Sequence, residues 1–217
     1  MALAANALTT LATMRDELGI TDDSQNDRLT RMINVASAAA ESYTNRTFQR
    51  GTRTQKIRPP NGPRIFLDAT PLASITSITD DGATVDSSEY EIEDASAGIV
   101  FRSSGWGGRD LTVPRSIVGD VMTGTGKSWL SVTYIGGYVL PNDAGDRDLP
   151  YDIEQACILT VTSLFRGRGR DRAVASKATG DASISFRLPN EIIGVGAGGV
   201  IPDEAVVLLR PYLRVVD

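Results

Sequence analysis

Leu149-Pro-Tyr-Asp-Ile-Glu-Gln-Ala-Cys-Ile-Leu-Thr-Val-Thr-Ser-Leu-Phe165 is the stretch on which the fold turns. Asp148 supplies a cap just before it, and Pro150 suits a first helical turn, where its missing N–H costs nothing. Asp152 and Glu154 sit at the positive end of the helix dipole. Ile153, Ala156, Cys157, Ile158, Leu159, Val161, Leu164 and Phe165 then cover far more than one stripe. The spacing predicts a helix over 150–165 that must be covered on several sides, by its own domain or by a neighbouring subunit. Ile158, Leu159 and Phe165 are the candidates for contacts of the second kind.

Working back from this helix, Pro141-Asn-Asp-Ala-Gly-Asp-Arg-Asp148 reads as a loop, preceded by Trp129-Leu-Ser-Val-Thr-Tyr-Ile135, an alternating strand that ends at Gly136-Gly137. Short runs rich in β-branched and aromatic residues lie further upstream: Arg64-Ile-Phe-Leu-Asp68, Ser74-Ile-Thr-Ser-Ile-Thr79, Tyr90-Glu-Ile-Glu93 and Gly98-Ile-Val-Phe101. Turn residues separate them, Asp81-Gly82 most clearly, and the pattern predicts small hairpins. Before residue 52 the period is helical. Thr9 or Thr10 caps a short helix carrying Leu11, Met14 and Leu18, which Gly19 stops. Thr21-Asp-Asp-Ser24 offers caps for a second helix of roughly twenty residues with Leu29, Met32, Ile33, Ala36, Ala39, Ala40 and Tyr43 on its apolar side. The alanines keep that side thin enough for another helix to approach closely.

Downstream, Arg166-Gly-Arg-Gly-Arg-Asp-Arg172 leads into a polar, small-residue stretch, a brief strand near Ile184-Ser-Phe186, the glycine-rich Gly194 to Gly199, and a short helix from Pro202 to Arg210 stopped by Pro211. The expected class is α+β: a small α-helical bundle of three to four helices with an inserted β-hairpin-rich lobe and an extended C-terminal tail. The expected boundaries are 1–50 for the N-terminal helices, 51–140 for the β-rich lobe, 141–175 for the main helix and 176–217 for a flexible arm with a short terminal helix.

Composition narrows the function. Of 217 residues, 41% are hydrophobic and 23% charged, as in a folded globular chain. The net charge of −5 does not suit a general nucleic-acid binder, which needs a basic excess. Histidine is absent, which removes Ser-His and Cys-His nucleophile systems and any His-bearing metal site. One cysteine, Cys157, makes neither a disulfide nor a zinc site and reads as a buried apolar residue. No apolar run reaches the roughly 18–20 residues that span a bilayer. Met1-Ala-Leu-Ala-Ala-Asn6 lacks the pattern of a signal peptide, so synthesis in the cytoplasm is expected.

Gly124-Thr-Gly-Lys-Ser128 invites a phosphate-loop reading, but position 121 is Val121 where the motif needs glycine, and a strand follows where a helix N-terminus is required. The scattered carboxylates, including Asp143 and Asp146, resemble no cation loop and suit turns. Arg166, Arg168, Arg170 and Arg172 have two readings: contact with DNA phosphates or an acidic partner, or cations at the negative end of a helix.

The order of elements resembles that of phage head–tail connector (adaptor) proteins. Leu11…Leu18-Gly-Ile-Thr21 and Leu29…Ile33…Ala36-Ser-Ala38…Tyr43-Thr44…Arg46-Thr-Phe48 carry the likeness at the start. Pro71-Leu-Ala-Ser-Ile-Thr-Ser-Ile-Thr79, Val132-Thr-Tyr-Ile-Gly-Gly-Tyr138 with Pro141, and Leu149-Pro-Tyr-Asp-Ile-Glu-Gln-Ala156 carry it through the centre. Val206-Val-Leu-Leu-Arg-Pro-Tyr-Leu-Arg214 is similar to the family's terminal segment.

The resemblance implies a structural subunit of the virion neck and no enzyme or cofactor. It implies a homo-oligomeric ring, commonly of twelve copies, between the portal and the tail or stopper proteins. Genome DNA passes through its lumen without specific binding, and a mildly acidic wall suits such passage. Because the family's C-terminal segment tends to engage the portal, Leu209, Arg210, Pro211 and Tyr212 are the expected portal contacts. Two other readings are a different virion structural protein (a tail-completion or capsid-associated subunit) and a carboxylate–metal enzyme using Asp143 and Asp146.

Overall fold

The computed structural model describes residues 1–60, 62–80, 82–106, 129–167, 176–179, 182–185 and 200–214. Contacts divide the chain into two compact units, Met1–Gln49 with Val139–Asp217, and Arg50–Tyr138. Among the described residues, four α-helices belong to the first: α1 (Leu11–Leu18), α2 (Asn26–Thr44), α3 (Tyr151–Arg166) and α4 (Asp203–Leu209). The chain is therefore α+β, a helical unit interrupted by a β lobe.

Local chemistry explains where the helices start and stop. Thr10 caps α1 by accepting the Thr13 N–H at 3.0 Å, and Gly19 ends it with φ 64°, a left-handed turn open to glycine. At α2 the expected caps act one step away. Gln25 holds the N-cap position without a side-chain bond, and Asp22 turns back to accept from the N–H and hydroxyl of Ser24. Asp148 likewise does not cap α3: its carboxylate accepts the Val139 N–H at 2.6 Å, closing the preceding loop, and Pro150 occupies the N-cap position.

α3 packs against α2 and α4, with α1 touching it as well. Ile153, Ala156, Cys157, Ile158 and Val161 of α3 are buried with Leu29, Ile33, Ala36 and Ala40 of α2, Met14 of α1, and Ala205 and Leu209 of α4. The thin face of α2 does admit a close neighbour, since Ser37 Oγ lies 3.6 Å from Cys157 Sγ. The chain's own helices thus cover Ile153, Ala156, Cys157, Ile158 and Val161 of α3, while Leu159, Leu164 and Phe165 stay half-buried.

The second unit holds β1 (Gly51–Ile57), β2 (Arg64–Phe66), β3 (Leu72–Asp80), β4 (Ala83–Thr84), β5 (Glu91–Asp94), β6 (Ile99–Phe101) and β7 (Leu130–Gly136). One sheet has the order β1-β7-β3-β4 and the other β2-β6-β5, all antiparallel. Local hairpins were the expectation; β1 and β3 instead both pair with β7, which follows them by some fifty residues or more. Alternation fixes which face of a strand is buried and leaves its partner open. Ile65 and Val100 of one sheet share a core with Ile78, Leu130, Val132 and Tyr134 of the other. The Tyr134 hydroxyl accepts from Ala69 N–H (3.0 Å) and donates to Gln55 Oε1 (3.1 Å), so this buried polar atom is satisfied on both sides.

The turn at Asp81-Gly82 joins β3 to β4, and Gly82 takes φ 87°; Asp81 itself lies outside the described residues. The expected strand near Ile184 appears as β9 (Ala182–Ser185), paired with an unforeseen β8 (Ser176–Thr179). Residues 107–128, with Gly124-Thr-Gly-Lys-Ser128, and Gly194 to Gly199 fall outside the described residues. Among those that are described, no helix is long and apolar enough to cross a membrane.

Candidate assembly surfaces

The terminal segment, expected as the portal contact, is docked on its own helical unit over residues 200–214. Ile201, Ala205 and Leu209 are buried, and the Arg214 N–H donates to the carbonyl of Thr44 at 3.0 Å. That carbonyl is one of the orphan acceptors at the end of α2, so the terminal segment completes a helix cap. Leu209 is fully buried within the helical unit. Arg210 and Pro211 are exposed and Tyr212 is half-buried. Val207, 69% exposed, and Leu213, 42% exposed, were not foreseen. Helical spacing is the signal for Val207: Ala205 and Leu209 face inward, so the residue between them faces out.

Of the inter-subunit candidates, Ile158 is buried against α3's own neighbours, while Leu159 and Phe165 are half-buried. Arg166 is exposed in the last turn of α3, where a cation suits the dipole. The helix closes on Gly167 in a right-handed conformation, with its N–H donating to Ser163 O, so glycine's left-handed freedom is not used there. Arg168, Arg170 and Arg172 lie outside the described residues.

A polar network pins the N-terminal residues within the helical unit. Glu154, buried on α3, pairs with Arg147 at 2.6 Å and accepts from the Thr9 hydroxyl at 3.1 Å. Asn142 donates to the Thr9 carbonyl (3.0 Å), and Ser37 Oγ accepts the Leu8 N–H (3.0 Å). Arg147 also lies 4.2 Å from the ring centre of Tyr151, which is 77% exposed. Burial pushes the Cys157 thiol up to about 12, against a weaker lowering by Ser37; it is an inert core group.

In the β lobe, Arg102 pairs with Glu89, approaches Asp80 at 3.9 Å and lies over Trp106. Asp143, one of the two acids of the metal reading, accepts the Leu140 N–H at 3.1 Å and serves a turn. Among the described residues no group of three His, Cys, Asp or Glu is placed to hold a metal ion.

The chain was compared with known proteins. Residues 8–95 match the family described as phage gp6-like head–tail connector protein. The whole chain shares its fold with a chain in the neck of an empty GTA particle, computed with C6 symmetry, at TM-score 0.55 and 16% identity, covering 94% of that chain. It likewise matches a chain in the virion of a native gene transfer agent (GTA) particle at TM-score 0.55 and 15% identity, again over 94% of that chain. A comparison with curated protein sequences gave no match. The matched family is a structural one, and residues 8–95 of this chain are similar to the phage gp6-like head–tail connector proteins.

Proposed function

We propose that the chain is a structural adaptor of a phage or phage-like neck, forming a ring between the portal and the tail or stopper proteins and extending the DNA channel. The match of residues 8–95 to head–tail connectors carries the reading. The full-length fold shared with a chain of a sixfold-symmetric neck supports a ring, and twelve copies accord with that symmetry. The net charge of −5 suits a lumen that repels phosphates and lets the genome pass without specific binding.

Within this reading the portal meets the outer side of the terminal segment. Leu209 and Ala205 hold that segment to the helical unit, and Val207, Arg210, Pro211 and Leu213 offer its exposed atoms. The basic run that begins at Arg166 meets a second partner, protein or DNA.

Deleting residues 200–217 would uncover the core around Leu209, so surface substitutions make the better test. Arg210→Glu and Val207→Asp are expected to leave the helical ellipticity unchanged and to abolish capture by purified portal. Capture at wild-type level by both variants would refute the contact. An isolated chain that forms no ring, with or without portal, in negative-stain images would refute the function.

A further inference from the structure

We infer that neighbouring copies of this chain join through their β lobes, the open edge of β1 in one copy adding to the open edge of β5 in the next. The inference rests on the ring reading above and names the surfaces that build the ring.

Among the described residues, β1 pairs with β7 alone and β5 with β6 alone. Each strand therefore leaves a row of backbone N–H and C=O groups without a ladder partner, which is the template for adding a strand. The two edges lie on opposite flanks of the lobe. β1 is fastened to the segment after β2, where the Asp68 N–H donates to Gln55 Oε1 at 2.9 Å. β5 is fastened to the β3 side: the Leu72 N–H donates to Ala95 O at 2.7 Å, and Arg102 spans Asp80 at the end of β3 and Glu89 just before β5. Two unlike edges on opposite flanks are what a head-to-tail contact requires; a two-fold dimer would need one self-complementary surface.

Charge then selects the pairing. From residue 50 to 58 the chain carries Arg50, Arg53, Lys56 and Arg58 and no acid; from 83 to 101 it carries Asp86, Glu89, Glu91, Glu93 and Asp94 and no base, with Glu89 and Glu93 paired to Arg102 and Arg64. Pairing β1 with β1 would set cation against cation, and β5 with β5 acid against acid. Both are penalised directly opposite each other across a ladder, whereas β1 with β5 is favoured. The charges that guard each edge against its own kind thus leave the unlike match open. A register shift between Ile92 and Asp94 interrupts β5, so the added ladder is short and contributes register and direction more than bulk affinity.

The test uses the full-length chain, alone and with purified portal, sized by native mass spectrometry. The variants are Lys56→Glu, Glu91→Lys and the two combined. Both positions are exposed, and far-ultraviolet spectra verify that each variant is folded. Each single change sets like charges across the contact and is expected to remove the ring-mass species. The double variant restores opposite charges and is expected to recover it, which a merely disruptive substitution cannot do. Rings retained by both single variants would overturn the edge pairing and leave the ring reading standing, as would a double variant no better than the singles. Singles that keep the ring and lose a tail-side protein would give these edges to another partner and overturn it too. A wild-type chain that never closes into an oligomer would overturn the ring reading and this one with it.

Discussion

Exchanging Arg147 for methionine should destabilise the helical unit more than exchanging Glu154 for glutamine, although Glu154 is the more buried partner. Their side chains are 27% and 9% exposed and meet at 2.6 Å. What matters is the charge each change leaves behind. In Glu154→Gln the residual cation is the better hydrated one and can turn to solvent. The amide still accepts from Thr9, so the cost is that of a hydrogen bond to a charged group, about 1.5–3 kcal/mol. In Arg147→Met the residual carboxylate stays in the core beside the Thr9 hydroxyl at 3.1 Å, and such an uncompensated ion costs about 3–5 kcal/mol. The exposure of Arg147 places the expected value near the lower end. Loss of its contact with the Tyr151 ring adds about 0.5–1 kcal/mol. Every described α-helix lies in the helical unit and both tryptophans lie in the β lobe, so urea unfolding followed at 222 nm reads the intended transition. A double-mutant cycle should then return a coupling of about 1–2 kcal/mol. A Glu154→Gln cost equal to or above that of Arg147→Met, or a coupling under about 0.5 kcal/mol, would show a solvent-screened pair and refute the reasoning.

Two further outcomes test the core. In Gly136→Ala the new Cβ would fall on the carbonyl of Ala69, and β7 cannot retreat without disturbing both β1 and β3; tryptophan fluorescence should report a loss of about 1–3 kcal/mol. Gly51→Ala, directly opposite on β1 with nothing within 4 Å of the added carbon, is the control and should change stability by less than about 0.5 kcal/mol. Cys157 predicts a pH dependence. Its folded value is raised from 9.0 to about 12, so its contribution is intact below about pH 9 and declines as pH climbs toward 12, at up to about 1.4 kcal/mol per pH unit. Cys157→Ala should remove that part of the alkaline slope, and equal slopes in both proteins would contradict the buried assignment.

Much of this architecture was legible because burial writes itself into periodicity. Leu130, Val132 and Tyr134 alternate as strand residues and are all buried in β7; Ile153, Cys157 and Val161 recur at helical spacing and are all buried in α3. β1 escaped notice because Thr52, Thr54 and Lys56 face outward while its half-buried members are Gly51, Arg53, Gln55 and Ile57, of which only Ile57 is a large apolar residue, so no apolar alternation marks it. Partner choice was equally hidden: β3 could close a local hairpin by pattern, yet its long partner is β7. Apolarity also marked Leu209 and Ile158, and both are buried within the chain's own helical unit. The exposed Arg210, Pro211, Val207 and Leu213 carry the surface of the terminal segment.

The topology also explains how one chain can hold a helical frame and a separate β lobe. The Arg50 N–H donates to Tyr138 O at 2.8 Å, its Nε donates to Gly137 O at 3.1 Å, and the ladder beyond them begins with Gly51 opposite Gly136. The lobe thus leaves and re-enters the chain at one paired stem, and its size can change without moving α2 or α3. The family match ends at residue 95, after α1, α2 and β1 to β5, and so cuts across both units. Neither unit is complete there: Leu29 and Ile33 need α3 and α4 to bury them, and Ile78 needs Val132 and Tyr134 of β7. A fragment ending at residue 95 should therefore expose both half-cores and fail to fold cooperatively. A sharp two-state transition for residues 1–95 would refute this account of how the chain is held together.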